Sequence, residues 1–202
     1  MAGYPHKILF IRHGETDYNA EGRLQGQRDI PLNGRGREQA SAVGRSLRKF
    51  RAAEIDRLDA ASAFFASPLM RARDTMMLAR GAMALEPKAF RLDARLMELS
   101  FGDWEGLSWP EVRARHPAGL MARNADKWNF APPGGESYAM LAVRLRAWLA
   151  ELSGDILIAA HGGIARTLAV LIAGLDTQMA VEIDIWQGRA IAFEDGAYHW
   201  VG

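Results

Sequence analysis

The sequence predicts an α/β three-layer sandwich with a mostly parallel central sheet, and three observations carry that expectation. Short apolar runs end abruptly at loop residues in Ile8-Leu9-Phe10-Ile11, Ala63 to Ala66 and Ile156 to Ala160. Each is followed by a segment with helical periodicity. The runs are also continuously apolar rather than alternating, as strands covered by helices on both faces must be.

The elements follow in order. The first strand, Lys7 to Ile11, feeds the loop that starts at Arg12-His13-Gly14. A helix should begin near Asn33, whose side chain can accept from a free backbone amide, and continue through Glu38, Ala42, Leu47 and Phe50. The strand Ala63 to Ala66 precedes a second helix with Ser67 as its expected N-cap, Pro68 in its first position, and Leu69, Ala72, Met76 and Ala79 along one side. Ser108 and Glu111 form a capping-box pair around Pro110 and predict a third helix. Ser137 to Leu152 reads as a longer amphipathic helix, and Ile164 to Ala173 as a buried apolar one. In the tail, Val181 to Val201, Asp195-Gly196 signals a hairpin. Residues 90–136, rich in Gly, Pro and Trp, read as a loop-rich active-site insertion or lid without a core of its own, within a single domain spanning residues 1–202.

Composition narrows the chemistry. The 202 residues include no cysteine, which excludes disulfides, zinc ribbons, iron-sulfur clusters and thiol catalysis, and suits a reducing cytoplasm. Lys and Arg total 25 against 24 acidic residues, so no long-range basic field recommends a nucleic-acid partner. The most apolar long stretch, Asp155 to Leu175, contains His161 and Arg166, and Met1 to Lys7 lacks the pattern of a signal peptide. A cytoplasmic protein without a membrane partner is the expectation. An edge-strand homodimer is compatible with a small α/β enzyme.

Ligands of open α/β sheets gather at the carboxyl ends of the strands. Here those ends carry Arg12-His13-Gly14, Ser67-Pro68-Leu69-Met70-Arg71 and His161-Gly162-Gly163, so two histidines and two arginines converge on one region. Helix N-termini at two of these ends add amide donors. The combined chemistry is that of an anion site. Taken singly, His13 fits a loop histidine as well as a catalytic one, Arg71 fits a solvated helix residue, and His161 fits a helix cap.

The motifs now carry a resemblance. Arg12-His13-Gly14-Glu15-Thr16, with Asn19, Arg23-Leu24-Gln25-Gly26 and Pro31-Leu32, resembles the signature of the histidine phosphatase superfamily, which includes the phosphoglycerate mutases. Ser67-Pro68-Leu69-Met70-Arg71-Ala72 with Thr75 is similar to its second motif. Leu96-Met97-Glu98 followed by Phe101-Gly102-Asp103-Trp104-Glu105-Gly106 is similar to its third, and His161-Gly162-Gly163 to its fourth. The resemblance implies a phosphoglycerate mutase-like fold, a small phosphorylated substrate, and two-step phosphoryl transfer through a phosphohistidine on His13. It implies no cofactor and no metal.

In that pattern Arg12, Arg71 and His161 hold the phosphoryl group, and Glu98 protonates the leaving alkoxide and later activates water. Thr16, Asn19, Gln25, Gly26 and Gly162 are candidate substrate-binding residues, with ordinary loop bonding as the competing role. Glu15 is read as orienting an arginine. Phe101, Trp104 and Trp109 are read as packing for the Glu98 loop, while Trp128, Phe130 and residues 132–137 either line a lid or anchor a loop. His6, His116 and His199 show no partner pattern. Cofactor-dependent mutases carry Arg-His-Tyr-Gly after their catalytic glutamate, whereas here Leu99 to Gly106 follows Glu98, so the chain resembles the short phosphatase branch. The alternatives are a phosphoglycerate mutase and a catalytically silent phospholigand-binding domain. A His/Glu metal hydrolase is disfavoured because no His-Glu-x-x-His pattern occurs.

Overall fold

The computed structural model describes residues 5–56, 58 and 63–201. The beginning of the Met1 to Lys7 segment, residues 1–4, therefore lies outside the described residues. In chain order the elements are β1 (Ile8–Arg12), α1 (Asp17–Ala20), α2 (Gly34–Phe50), α3 (Ala52–Ile55), β2 (Phe64–Ala66), α4 (Met70–Ala82) and β3 (Arg91–Leu92). They continue with α5 (Trp109–Arg115), α6 (Pro117–Ala125), α7 (Tyr138–Leu149), β4 (Ile156–Ala160), α8 (Gly162–Leu171), α9 (Thr177–Ala180), β5 (Ala190–Glu194) and β6 (Ala197–Val201).

The strands form one mixed sheet in the order β3-β2-β4-β1-β5-β6. The four strands from β3 to β1 run parallel, and β5 and β6 add to β1 as an antiparallel edge. Successive side chains of a strand point to opposite faces, and the central strands use both. Ile8, Phe10, Ile158 and Ala160 pack with Leu141, Leu145 and Trp148 of α7 and Ile164 and Leu168 of α8. Leu9, Ile11, Leu157 and Ala159 pack with Val43 and Leu47 of α2 and Met76 and Ala79 of α4. Helices on both faces explain why these strands are apolar without alternation.

Several local expectations hold. Asn33 caps α2 by accepting from the Gly36 amide at 2.8 Å, Ser108 and Glu111 form the capping box of α5, and Ser137 caps α7. Helix α7 stops at Leu149, three residues short of the expected end. Asp195 and Gly196 both adopt positive φ, 52° and 70°, as the two central positions of a type I′ hairpin turn require.

Two expectations are corrected. Ser67 does not cap α4. The helix begins at Met70 after an extended Leu69, and the Met70 amide donates to Asp29 at 2.6 Å, a carboxylate reached only through tertiary folding. Residues 90–136 are not coreless: they contain α5 and α6, and buried Trp104 and Val112 pack with Leu24, Leu107, Leu120 and Phe130 in a small cluster. Aromatic residues on irregular backbone can bury enough surface for such a cluster without any sequence period. No helix among the described residues is long and apolar enough to cross a membrane.

Candidate active site

Strand register brings the motifs together. Arg12 lies opposite Ala160 in the β1/β4 pair, and the His13 amide donates to the Ala160 carbonyl at 2.9 Å. On the other side of β4, the Ser67 amide donates to Ala159 at 3.1 Å. Thus the three strand ends emerge side by side. A cleft of about 340 Å³ opens there, and its walls include Arg12, His13, Arg71, Glu98, Asn19, Gln25, Gly26 and Gly162.

His13 is almost wholly buried. Its Nδ1 lies 2.7 Å from the Gly14 carbonyl oxygen, which can only accept, so Nδ1 carries the hydrogen and Nε2 is left as a lone pair in the neutral ring. Burial, and then the charges of Arg71 and Arg12, hold its pKa well below the ordinary histidine value. The His161 ring lies 5.1 Å away, centroid to centroid, fully buried, with neither nitrogen hydrogen-bonded. Burial and then the Arg71 charge push its pKa down as well. His161 occupies the N-cap position of α8, but its side chain caps nothing.

The two clamp arginines are held by backbone carbonyls rather than by carboxylates. Arg71 donates to the carbonyls of Gly26 and Arg28, both at 2.7 Å, and Arg12 donates to that of Ile185. The Nε atoms of both are buried without a partner. Desolvation lowers the Arg12 pKa to about 10 and lowers that of Arg71. Buried donors without acceptors are costly. Two guanidinium N–H groups and an imidazole left unmatched around His13 describe the complement of an anion with several acceptor oxygens.

Glu98 lines the same cleft, and its charge acts on both Arg12 and Arg71. Its carboxylate accepts from the Leu99 amide at 3.0 Å and from the Gly163 amide, in the first turn of α8, at 3.2 Å. Its carbonyl accepts from Gln27 at 3.0 Å and Arg144 at 3.3 Å, while Arg144 is paired with Glu136 at 3.2 Å. The sequence reading missed Gly163, Gln27, Arg144 and Glu136. Only Gly163 carried a signal, as the second glycine of its motif. A Cβ at Gly163 would lie 2.3 Å from Glu98 Oε1 and 2.6 Å from Leu99 Cδ2. Gly163→Ala should therefore displace the Glu98 carboxylate and reduce turnover about a hundredfold. Steady-state kinetics at unchanged far-UV circular dichroism checks this, and a variant within threefold of wild type contradicts it.

Not every substrate-binding candidate reaches the cleft. Thr16 is fully buried outside the lining; it caps α1, accepting from the Asn19 amide at 3.2 Å, and its hydroxyl lies 3.0 Å from Gln25 Oε1. The loop bonding read as its competing role is the one observed. Gly26 lines the cleft but turns its carbonyl to Arg71. Asn19 Oδ1 accepts from Gln187 at 2.6 Å. Glu15 pairs with Arg35 at 3.4 Å rather than with a clamp arginine. Buried Trp104 packs between Phe130 and Trp109, whereas Phe101 and Trp109 also line the cleft. Residues 132–137 anchor rather than line: the Pro133 carbonyl accepts from Asp103, and the Glu136 amide donates to Ser100. Trp128 stacks on Tyr138, which is part of the lining. His199 has partners after all, Arg51 at 3.0 Å and Glu194 at 3.2 Å, and His116 lies against Trp104.

The two buried imidazoles have a consequence for stability. Both resist protonation in the folded chain, whereas in the unfolded chain they take up protons as pH falls below about 6.5. Stability should then be full above that pH and decline below it, by up to about 1.4 kcal/mol per pH unit for each imidazole. Urea midpoints at pH 7.5, 6.5 and 5.5 test this. A flat series contradicts it.

Known proteins resemble the chain along most of its length. Residues 8–200 match the family model of the histidine phosphatase superfamily (branch 1). The chain is 33% identical over 182 residues to a glucosyl-3-phosphoglycerate phosphatase of Mycobacterium tuberculosis, covering 84% of this chain and 76% of that one. It is 30% identical to a 2,3-bisphosphoglycerate-dependent phosphoglycerate mutase of Methylobacterium radiotolerans, over 92% and 88% of the two chains. Among solved structures, a mycobacterial glucosyl-3-phosphoglycerate phosphatase complexed with VO3 superposes with a TM-score of 0.79 at 28% identity, covering 96% of this chain and 97% of that one.

Proposed function

The chain belongs to the histidine phosphatase superfamily and is a phosphoric monoester hydrolase of small phosphorylated metabolites; from that premise we propose that His13 is the nucleophile of a metal-independent, two-step hydrolysis. The observation that supports this reading best is the set of unpartnered polar atoms around His13: Nε of Arg12, Nε of Arg71 and both nitrogens of His161.

In the first step the Nε2 lone pair of His13 attacks phosphorus, the bond from phosphorus to the ester oxygen breaks, and Glu98 delivers its proton to the departing alkoxide. In the second, Glu98 takes a proton from water as the water oxygen attacks phosphorus. The N–P bond then breaks, and neutral His13 returns with Glu98 reprotonated and inorganic phosphate free. The balance is one ester and one water in, one alcohol and one phosphate out. The Gly14 carbonyl keeps the hydrogen on Nδ1 throughout, and the clamp stabilises charge on the transferring oxygens.

Hydrolysis rather than transfer between substrates is the reading favoured by the residues after Glu98, where the Arg-His-Tyr-Gly segment of the mutases is replaced by Leu99-Ser100-Phe101-Gly102. Among the described residues no three His, Asp or Glu side chains are grouped as a metal ion would need. The deciding experiment is phosphate release from p-nitrophenyl phosphate, sugar phosphates and 3-phosphoglycerate with and without excess EDTA. Release at the same rate in EDTA is expected. Loss of release in EDTA, or none from any ester by folded protein, overturns the proposal.

A further inference from the structure

The phosphoryl clamp and the acid of the proposed reaction hang on two different loops. Arg71 is held by the carbonyls of Gly26 and Arg28, both at 2.7 Å, in the loop after α1. Glu98 lies some seventy residues later, in the irregular chain between β3 and α5. Among the described residues, the hydrogen bonds that join residues 25–28 to residues 98–101 all involve a side chain.

One oxygen does most of this joining. Glu105 Oε1 accepts from the Gln27 amide at 2.9 Å, from the Phe101 amide at 3.1 Å and from the Ser100 hydroxyl at 3.2 Å. Gln27 stands between the two residues whose carbonyls hold Arg71, and its own side chain donates to the Glu98 carbonyl at 3.0 Å. Ser100 and Phe101 are the second and third residues after Glu98. The Glu105 carboxylate is therefore the knot between the two loops. Its charge, with those of Glu98 and Asp29, also acts on Arg71 against the desolvation that lowers the guanidinium pKa.

The neighbouring glycine is shaped to this knot. Gly26 has φ of 51°, and a Cβ there would lie 2.0 Å from Glu105 Oε1. Only a residue without a side chain lets the carboxylate reach the Gln27 amide. Glu105 itself is not among the residues that line the cleft, so whatever it contributes to turnover passes through other groups.

We propose that Glu105 is a positioning residue that couples clamp and acid, fixing Arg71 and Glu98 relative to each other through one carboxylate oxygen. This rests on the phosphomonoesterase reading above. Bonds from amides to a carboxylate are of the stronger, charge-assisted kind, and a shift of about 1 Å in a catalytic group can cost about a hundredfold in rate.

The test gives clamp and acid separate readouts in Glu105→Ala. Inhibition by orthovanadate, a mimic of the transferring phosphoryl group, reports the clamp and should weaken about tenfold. Single-turnover release of the alcohol from an alkyl phosphate, relative to release from p-nitrophenyl phosphate, reports proton delivery by Glu98 and should fall about tenfold or more. Glu105→Gln keeps an acceptor oxygen at the same reach and should recover most of both. If the alanine protein does not fold, Glu105→Asp, one methylene too short to span both amides, should show the same two shifts. A carboxylate that only stabilised the fold would lower the melting temperature or the active fraction and leave both readouts within about twofold of wild type. That result overturns the coupling while leaving the hydrolase intact, and so does a shift in one readout alone. Failure of wild type to release phosphate from any ester removes the hydrolase reading, and the coupling with it.

Discussion

His13→Ala should hydrolyse p-nitrophenyl phosphate at least about 10⁴-fold more slowly than wild type, because it removes the atom to which phosphorus is transferred. The ring is oriented by the Gly14 carbonyl and kept neutral by burial beside two guanidinium groups, so no neighbour can take its place. His161 is the nearest imidazole, but it sits at the start of α8 with no carbonyl to set its tautomer. Wild type quenched during turnover of a ³²P-labelled ester should carry protein-bound label that survives base and is lost in acid, as a phosphoramidate bond is. The variant should carry none. A variant that keeps more than about one hundredth of the rate would remove His13 from the reaction.

Glu98→Gln should lose about 10²- to 10⁴-fold on an alkyl phosphate, whose alkoxide needs a proton as it departs. On p-nitrophenyl phosphate, whose leaving group is stable as an anion, the first step should suffer much less. The substitution is nearly isosteric, and its amide oxygen can still accept from Leu99 or Gly163, so the scaffold should hold. What disappears is the acidic proton. Equal losses in the first, phosphoenzyme-forming step on both classes of ester, read from single-turnover release of the alcohol, would place Glu98 in structure rather than in proton transfer to the leaving group. Parallel melting curves of the two proteins are the control.

Legibility followed the range of the interactions concerned. Asn33, Ser108 with Glu111, Ser137 and Asp195-Gly196 act on backbone within three residues, and each could be read from its own neighbourhood. The three strand ends could be read because an apolar run that stops at a charged motif marks both the strand and its functional end. Ser67 was misread because α4 starts later, at Met70, whose amide is satisfied by Asp29, 41 residues earlier. Thr16 resembled a ligand-facing hydroxyl, yet the fold turned it inward to hold Asn19 and Gln25 in place. Arg123 left no trace: it lies in α6, in a segment with little period, and only the folded chain sets it over Trp109 in the cleft lining.

The sequence by itself determined the α/β class and the strand ends at which Arg12, His13, Arg71 and His161 gather, whereas Glu98 entered the candidate reactive set only through the family resemblance. Those properties are written in local pattern and residue type. Tertiary structure alone decided that Gly163 holds the Glu98 carboxylate, that Gln27 and Arg144 brace its backbone, and that five arginines share one cleft. The reason is physical: strand pairing and helix packing place side chains tens of residues apart within hydrogen-bonding distance, and neither distance nor burial is a property of any short stretch of chain.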